Sequence, residues 1–209
     1  MRSPKPNPFA SARFLRSCAQ LEQLPDDDCP ELAFAGRSNA GKSTALNRLC
    51  GHNALARVSK TPGRTQLINL FDVPGGRFAD LPGYGFAKVS KDQRSSWGEL
   101  IGRYFEARTN LCGIVLIMDV RHPLTPFDHQ MLDWAVGHRV ACHLLLTKAD
   151  KLGYGASKTT LLNTRKGLKD MGSSASVQLF SSSSHQGLDE ARAKLTELLA
   201  SEAGVELVA

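Results

Sequence analysis

Short continuous apolar runs alternate along this chain with stretches whose apolar residues recur at helical spacing. Glu31–Ala35 is the first such run and predicts a buried strand, followed at once by a glycine-bearing turn and a helix over Lys42–Leu49. Thr65–Val73 and Arg77–Leu81 read as a hairpin pair turned by Pro74-Gly75-Gly76. The pattern then settles into a helix over Ser96–Arg108, a strand over Gly113–Asp119, a helix over Phe127–His138 and a strand over Val140–Thr147. A helix over Lys158–Met171, a strand over Val177–Ser181 and a helix over Leu188–Leu199 close it. Such alternation implies an α/β three-layer sandwich around a mostly parallel sheet with one antiparallel strand. Residues 1–30 form a proline-rich lead and a short extension, in which Ala10–Leu24 suits either a short helix or an edge segment. Asp26-Asp27-Asp28 reads as a solvated turn, residues 31–200 as the domain, and 201–209 as a tail.

Composition narrows the class without naming a chemistry. A chain of 209 residues fits one domain with a full core, and 42% hydrophobic with 22% charged residues is ordinary for a globular protein. The net charge of +6 is compatible with RNA or another polyanion and does not require one. Cys18, Cys29, Cys50, Cys112 and Cys142 are odd in number, scattered and without CxxC spacing, so neither a disulfide framework nor a metal cluster is indicated. Prolines occupy the place where a signal peptide needs an apolar run, and Leu111–Val120 and Val140–Leu146 are too short to cross a bilayer. A monomeric cytoplasmic protein with no membrane insertion is expected.

Chemistry is expected in the loops at the carboxyl ends of the strands. Gly36-Arg37-Ser38-Asn39-Ala40-Gly41-Lys42-Ser43 is a GxxxxGKS loop between a predicted strand and a predicted helix. Its glycines let successive N–H groups face phosphate oxygens, Lys42 would reach the β- and γ-phosphates, and Ser43 would meet magnesium. Thr147-Lys148-Ala149-Asp150 names the base. The Asp150 carboxylate can accept both guanine N1–H and N2–H, whereas adenine offers neither donor. Lys148 would lay its stem over the base plane. Asp80-Leu81-Pro82-Gly83 can sense a γ-phosphate, Asp80 holding magnesium through water and the Gly83 N–H touching the phosphate. Thr61-Pro62-Gly63-Arg64-Thr65 offers two threonines able to complete the magnesium shell, of which Thr65 is favoured. Phe180-Ser181-Ser182 could back guanine O6 with a backbone N–H, in a register that the serine run leaves open.

The strings GRSNAGKST, SKTPGRTQLINLF, DLPGYGFAKV, TKADK and FSSSSHQGLDE resemble those of the EngB (also called YihA or YsxC) ribosome-biogenesis GTPases. The resemblance runs from about Phe9 to Leu199. EngB proteins fall within the TrmE-Era-EngA-EngB-septin-like class of P-loop GTPases. It implies a Ras-like P-loop GTPase fold and a cytoplasmic bacterial enzyme using GTP/GDP and Mg2+. It also implies a role in assembling the large ribosomal subunit or its precursor, with a link to cell division and septation. By the same resemblance Thr65 is the switch threonine on magnesium, and Gly63, Arg64, Thr65, Gln66 and Leu67 form the nucleotide-contacting switch segment. Tyr84 stands where Ras-like GTPases put a water-orienting glutamine, which leaves Lys42 and Thr65 to support the transition state and predicts slow hydrolysis. Asn39 either helps hold a potassium ion beside the phosphates, as in related GTPases, or stabilises the loop turn. Arg57, Lys60 and Arg64 on one side and Arg77, Lys88, Lys91 and Arg94 on the other flank the switches and suggest an RNA-facing surface. A P-loop kinase or ATPase and a cell-division scaffold with a structural nucleotide are the competing readings.

Overall fold

The computed structural model describes residues 6–56, 67–84 and 91–201, and in the stretch 91–97 only the backbone. Seven strands form one sheet: β1 (Arg13–Cys18), β2 (Glu31–Gly36), β3 (Ile68–Val73), β4 (Gly76–Asp80), β5 (Leu111–Asp119), β6 (Cys142–Thr147) and β7 (Ser176–Leu179). Their order across the sheet is β1-β3-β4-β2-β5-β6-β7. β3 is antiparallel to both of its neighbours, while the pairings from β4 to β7 are parallel, so one strand runs against the other six. Five helices cover the faces: α1 (Lys42–Cys50), α2 (Lys91–Ala107), α3 (Pro126–Gly137), α4 (Tyr154–Asp170) and α5 (Leu188–Ala200).

Period-2 alternation in the central strands divides the core in two. Leu32 and Phe34 of β2 with Val115 and Ile117 of β5 pack among Leu46 and Leu49 of α1 and Leu195 and Leu198 of α5. Ala33, Ala35, Ile114 and Leu116 face the other way, toward Ile101, Tyr104 and Phe105 of α2, Leu132 of α3 and Leu168 of α4. Every residue of β2 is buried, as a parallel strand covered on both faces requires. Ala10–Leu24 takes the edge-segment option. β1 pairs with β3, and Phe9 and Ala12 just ahead of it are buried, so chain preceding residue 31 contributes to the sheet and its packing.

A charged knot closes the end of the sheet opposite the loops that carry the motifs. Glu31, wholly buried, accepts the Tyr104 hydroxyl at 2.5 Å and the Arg108 guanidinium at 3.1 and 3.0 Å. Arg77 pairs beside it with Asp27 at 3.1 and 2.8 Å. The Asp26–Asp28 turn is therefore not wholly solvated, because Asp27 reaches in to neutralise a buried guanidinium. Tyr104 stands in the last turn of α2 and Arg108 just beyond it, so the knot anchors the carboxyl end of that helix.

Candidate functional site

Gly36 ends β2 where a Cβ would lie 2.6 Å from the Ile117 carbonyl of β5, so only glycine lets the chain turn there. Residues 37–41 then curl back. Asn39 has a φ of 64° and Gly41 of 95°, both left-handed, and Gly41 caps α1 without a side-chain bond. The first-turn N–H groups of α1 thus face the loop's concavity, the arrangement that suits an anion. Lys42 and Ser43 begin the helix, and the Lys42 ammonium is in contact with the Asp80 carboxylate at the end of β4. Two segments far apart in sequence therefore place a cation and an acid at one point.

The Asp80–Gly83 loop is stitched to the phosphate loop. Leu81 N–H donates to Phe34 O at 3.0 Å, Tyr84 N–H to Gly36 O at 3.2 Å, and Ser38 N–H to Tyr84 O at 2.7 Å. The Tyr84 side chain turns inward. It is 2% exposed, its ring lies 5.8 Å from Phe127, and its hydroxyl donates to Asp128 at 2.5 Å. Burial and the adjacent Asp128 carboxylate push the phenol well above its ordinary pKa. The other Asp128 oxygen accepts from Thr125 N–H at 2.7 Å and Thr125 Oγ1 at 2.8 Å, capping α3. The sequence reading passed over Asp128, although Thr125-x-x-Asp128 ahead of an apolar run is a capping signal.

Thr147–Asp150 closes on the same place from β6. Thr147 Oγ1 donates toward the Ala40 carbonyl at 2.5 Å, with the Met118 carbonyl at 2.9 Å. Lys148, in a left-handed conformation at φ 58°, lays its stem over the loop, its Nζ donating to Asn39 O at 2.7 Å and Asp119 Oδ2 at 2.9 Å. Arg121 bonds Asp119 as well, Nε at 2.9 Å and Nη2 at 2.6 Å, and holds that carboxyl well below the usual range. Asp119 also went unnoticed in the sequence, where its signal was a carboxylate ending a buried strand on the loop side of the sheet. Asp150 accepts the Ser181 hydroxyl at 2.6 Å, and that bond is the first cause of its lowered pKa. The Phe180 and Ser181 N–H groups are already bonded, to Leu146 O and Gln186 O. Of the three candidates beside the base, the Ser182 N–H is the one without a backbone acceptor among the described residues.

The structure thus gathers Gly36–Ser43, Asp80–Gly83, Thr147–Asp150 and Phe180–Ser182 at the carboxyl ends of β2, β4, β6 and β7. Leu67 stands just ahead of β3. Gly63, Arg64, Thr65 and Gln66 lie outside the described residues, as do Thr61, Arg57, Lys60, Lys88 and the side chains of Lys91 and Arg94. Arg77, counted among the switch-flanking cations, sits instead in the charged knot at the opposite end of the sheet, where Asp27 draws it. No helix among the described residues is long and apolar enough to cross a membrane.

A phosphate loop, an acidic loop stitched to it and a TKxD loop locked onto its carbonyls, all on a mostly parallel sheet, define a P-loop GTPase. A family model described as a 50S ribosome-binding GTPase matches residues 31–148. A probable GTP-binding protein EngB of Vibrio parahaemolyticus is 50% identical over 188 residues, covering 90% of this chain and 86% of that protein. A solved structure of a probable GTP-binding protein engB matches with a TM-score of 0.66 at 21% identity, covering 81% of this chain and 98% of that one. Era in complex with MgGDPNP and part of 16S ribosomal RNA matches at 0.63 and 22%, covering 86% and 59%. The chain belongs to the EngB family of GTP-binding proteins, and it is a GTPase.

Proposed function

We propose that this GTPase assists assembly of the large ribosomal subunit, binding the particle or its precursor in the GTP form and releasing it in the GDP form. The observation that carries the switch is the lock between Thr147-Lys148 and the carbonyls of Ala40 and Asn39. It ties the TKxD loop to the phosphate loop, which supports the reading that a guanine held at Asp150 would deliver its triphosphate to Lys42. Asp150 accepts guanine N1–H and N2–H, Lys148 covers the base plane, and the Ser182 N–H meets O6. Lys42 and the N–H groups of Asn39–Ser43 hold the β- and γ-phosphates.

The donors near Lys42 suit magnesium, because the Ser43 hydroxyl and the Asp80 carboxylate are hard oxygen groups set beside the phosphate lysine. Bound there with Thr65, the ion would neutralise charge on the phosphates. Asp80 would act on it through water, which fits a carboxylate that already reaches the lysine. Asn39 is exposed in the phosphate loop and its carboxamide makes no hydrogen bond to the described residues, so it is free to share a potassium ion beside bound phosphates. Tyr84 supplies no group to the attacking water, since its hydroxyl is buried on Asp128. The Lys42 charge and Thr65 carry the transition state, and intrinsic turnover is slow.

The particle comes from the family: its model is described as 50S ribosome-binding. A cytoplasmic location and a role in normal cell division and septation go with the same reading. The test is pelleting with isolated ribosomal subunits. We expect the non-hydrolysable GTP-analogue form to sediment with large subunits at least tenfold more tightly than the GDP form, and neither form to follow small subunits. Equal sedimentation of both forms would overturn the switch and favour a scaffold with a structural nucleotide.

A further inference from the structure

Helix α4 exposes a stripe that no nucleotide chemistry uses. Tyr154, Lys158, Leu162, Arg165 and Lys169 recur at intervals of four, four, three and four residues, which sets them in line along one side of the helix. All five are exposed, while Ser157, Thr164 and Leu168 bury an adjoining side, roughly a quarter turn away. Tyr154, 81% exposed, and Leu162, 53% exposed, are two of the four large hydrophobic side chains left open among the described residues. Lys166 beside the stripe is paired with Asp170 at 2.8 Å, but among the described residues no carboxylate pairs with Lys158, Arg165 or Lys169. At 1.5 Å per residue the stripe is about 22 Å long. It continues into a groove of about 640 Å³ beside β7, lined by Arg165, Lys169, Ser173, Ser176 and Lys194. The groove's acids, Glu190 and Glu197, are on α5, where Glu197 pairs with Lys194 at 2.6 Å.

We propose that α4 is an RNA-docking surface, its three unpaired cations contacting backbone phosphates and Tyr154 stacking on an unpaired base. The inference rests on the ribosomal reading above for the source of the RNA. Cations alone would suit an acidic protein equally well. A nearly bare aromatic ring at the end of a cationic stripe is what a base's π-face needs and a carboxylate does not. Helix α4 packs on β7, away from the Asp80–Gly83 loop, so it presents this charge whichever nucleotide is bound. The contact therefore adds affinity in both states and leaves switching to the loops around the phosphates.

The test is binding of the full chain to protein-free large-subunit RNA across a potassium chloride series, in the GDP form and in the GTP-analogue form. The variant Lys158→Glu/Arg165→Glu/Lys169→Glu should lose tenfold or more at low salt, and the slope of log affinity against log salt should fall by about 2 to 3. Tyr154→Ala should lose about fivefold or more with the slope unchanged. Both losses should be the same in either nucleotide form, with GTP affinity intact. Wild-type affinity and slope in the triple variant, or no RNA binding by the wild type, would overturn the proposal. Polyglutamate that binds as tightly as RNA and is lost on the same reversals would also overturn it, assigning the face to an acidic protein. Should pelleting with subunits prove independent of nucleotide while the reversals still weaken RNA binding, the switch falls and the α4 surface stands.

Discussion

Tyr84 follows the Asp80–Gly83 loop and its backbone is bonded to Gly36 and Ser38, yet its phenol turns away and ends on Asp128. Two consequences separate cleanly. Tyr84→Phe strips one bond from a carboxylate that is 1% exposed, which costs about 1–3 kcal/mol. Because the phenol never reaches the water that attacks GTP, single-turnover hydrolysis should stay within about twofold of wild type. A thermal melt and a phosphate-release assay on that variant measure both, and a tenfold slower hydrolysis would place Tyr84 in the catalytic set. Lys42 and Ser43 divide in another way. Lys42→Ala should weaken GTP with or without magnesium, whereas Ser43→Ala should weaken it only when magnesium is present. Calorimetric titrations with and without a chelator tell these apart, and wild-type affinity in both variants would contradict the phosphate-loop roles. Much of this site was legible because its motifs are contiguous: Gly36–Ser43, Asp80–Gly83 and Thr147–Asp150 each carry their chemistry in adjacent residues. Asp119 and Asp128 were not, because each acts on a partner 29 or more residues away, Lys148 and Tyr84, and no local spacing signals that pairing.

At the scale of elements, apolar runs placed the strands well, and the larger disagreements fall at helix beginnings. α2 starts at Lys91 and α4 at Tyr154, each several residues before the apolar rhythm that marked it, because α2 opens on the polar turn Lys91-Asp92-Gln93-Arg94 and α4 on an exposed tyrosine and small residues, neither with an apolar face to count. β1 could be read two ways because its residues are mostly exposed, as an edge strand's are, and give no alternation to count. β6 and β7 hold a further handle. His143 is 3% exposed between Ser176 Oγ at 2.7 Å and Gln178 Oε1 at 3.1 Å, and burial lowers its pKa from 6.5 to about 4. The neutral ring is therefore the folded form. As pH falls from about 6.5 toward 4 the unfolded chain takes up the proton first, so this stability is present above pH 6.5 and is lost on the way down. The whole difference is on the order of 3 kcal/mol. Urea unfolding of wild type and His143→Asn at pH 7 and pH 4.5 should show the gap between them shrinking by most of that amount. A gap that stays constant with pH would mean that His143 takes up its proton equally readily in the folded and unfolded chains.

Across the whole molecule the sheet separates a fixed end from a responsive one. The Glu31 knot grips the carboxyl end of α2, and Ile101, Tyr104 and Phe105 seat that helix in the core, while its amino end follows the Asp80–Gly83 loop in sequence; on the proposed reading a change at the phosphates would enter the helix from that end. If, as proposed, Asp150 recognises guanine and the triphosphate form binds the partner, the two form one linked equilibrium, and exchanging the base should carry the partner with it. Asp150→Asn replaces a carboxylate that accepts from guanine N2–H with an amide that can donate to the extra carbonyl of xanthine. The decisive measurement is co-sedimentation of this variant with large ribosomal subunits, using non-hydrolysable analogues of GTP and of xanthosine triphosphate. The account predicts that the variant pellets with the subunit at least tenfold more tightly when given the xanthosine analogue than with the GTP analogue, and that wild type shows the reverse preference. Sedimentation of the variant that still follows GTP, or that is equally tight with either analogue and with none, would contradict it.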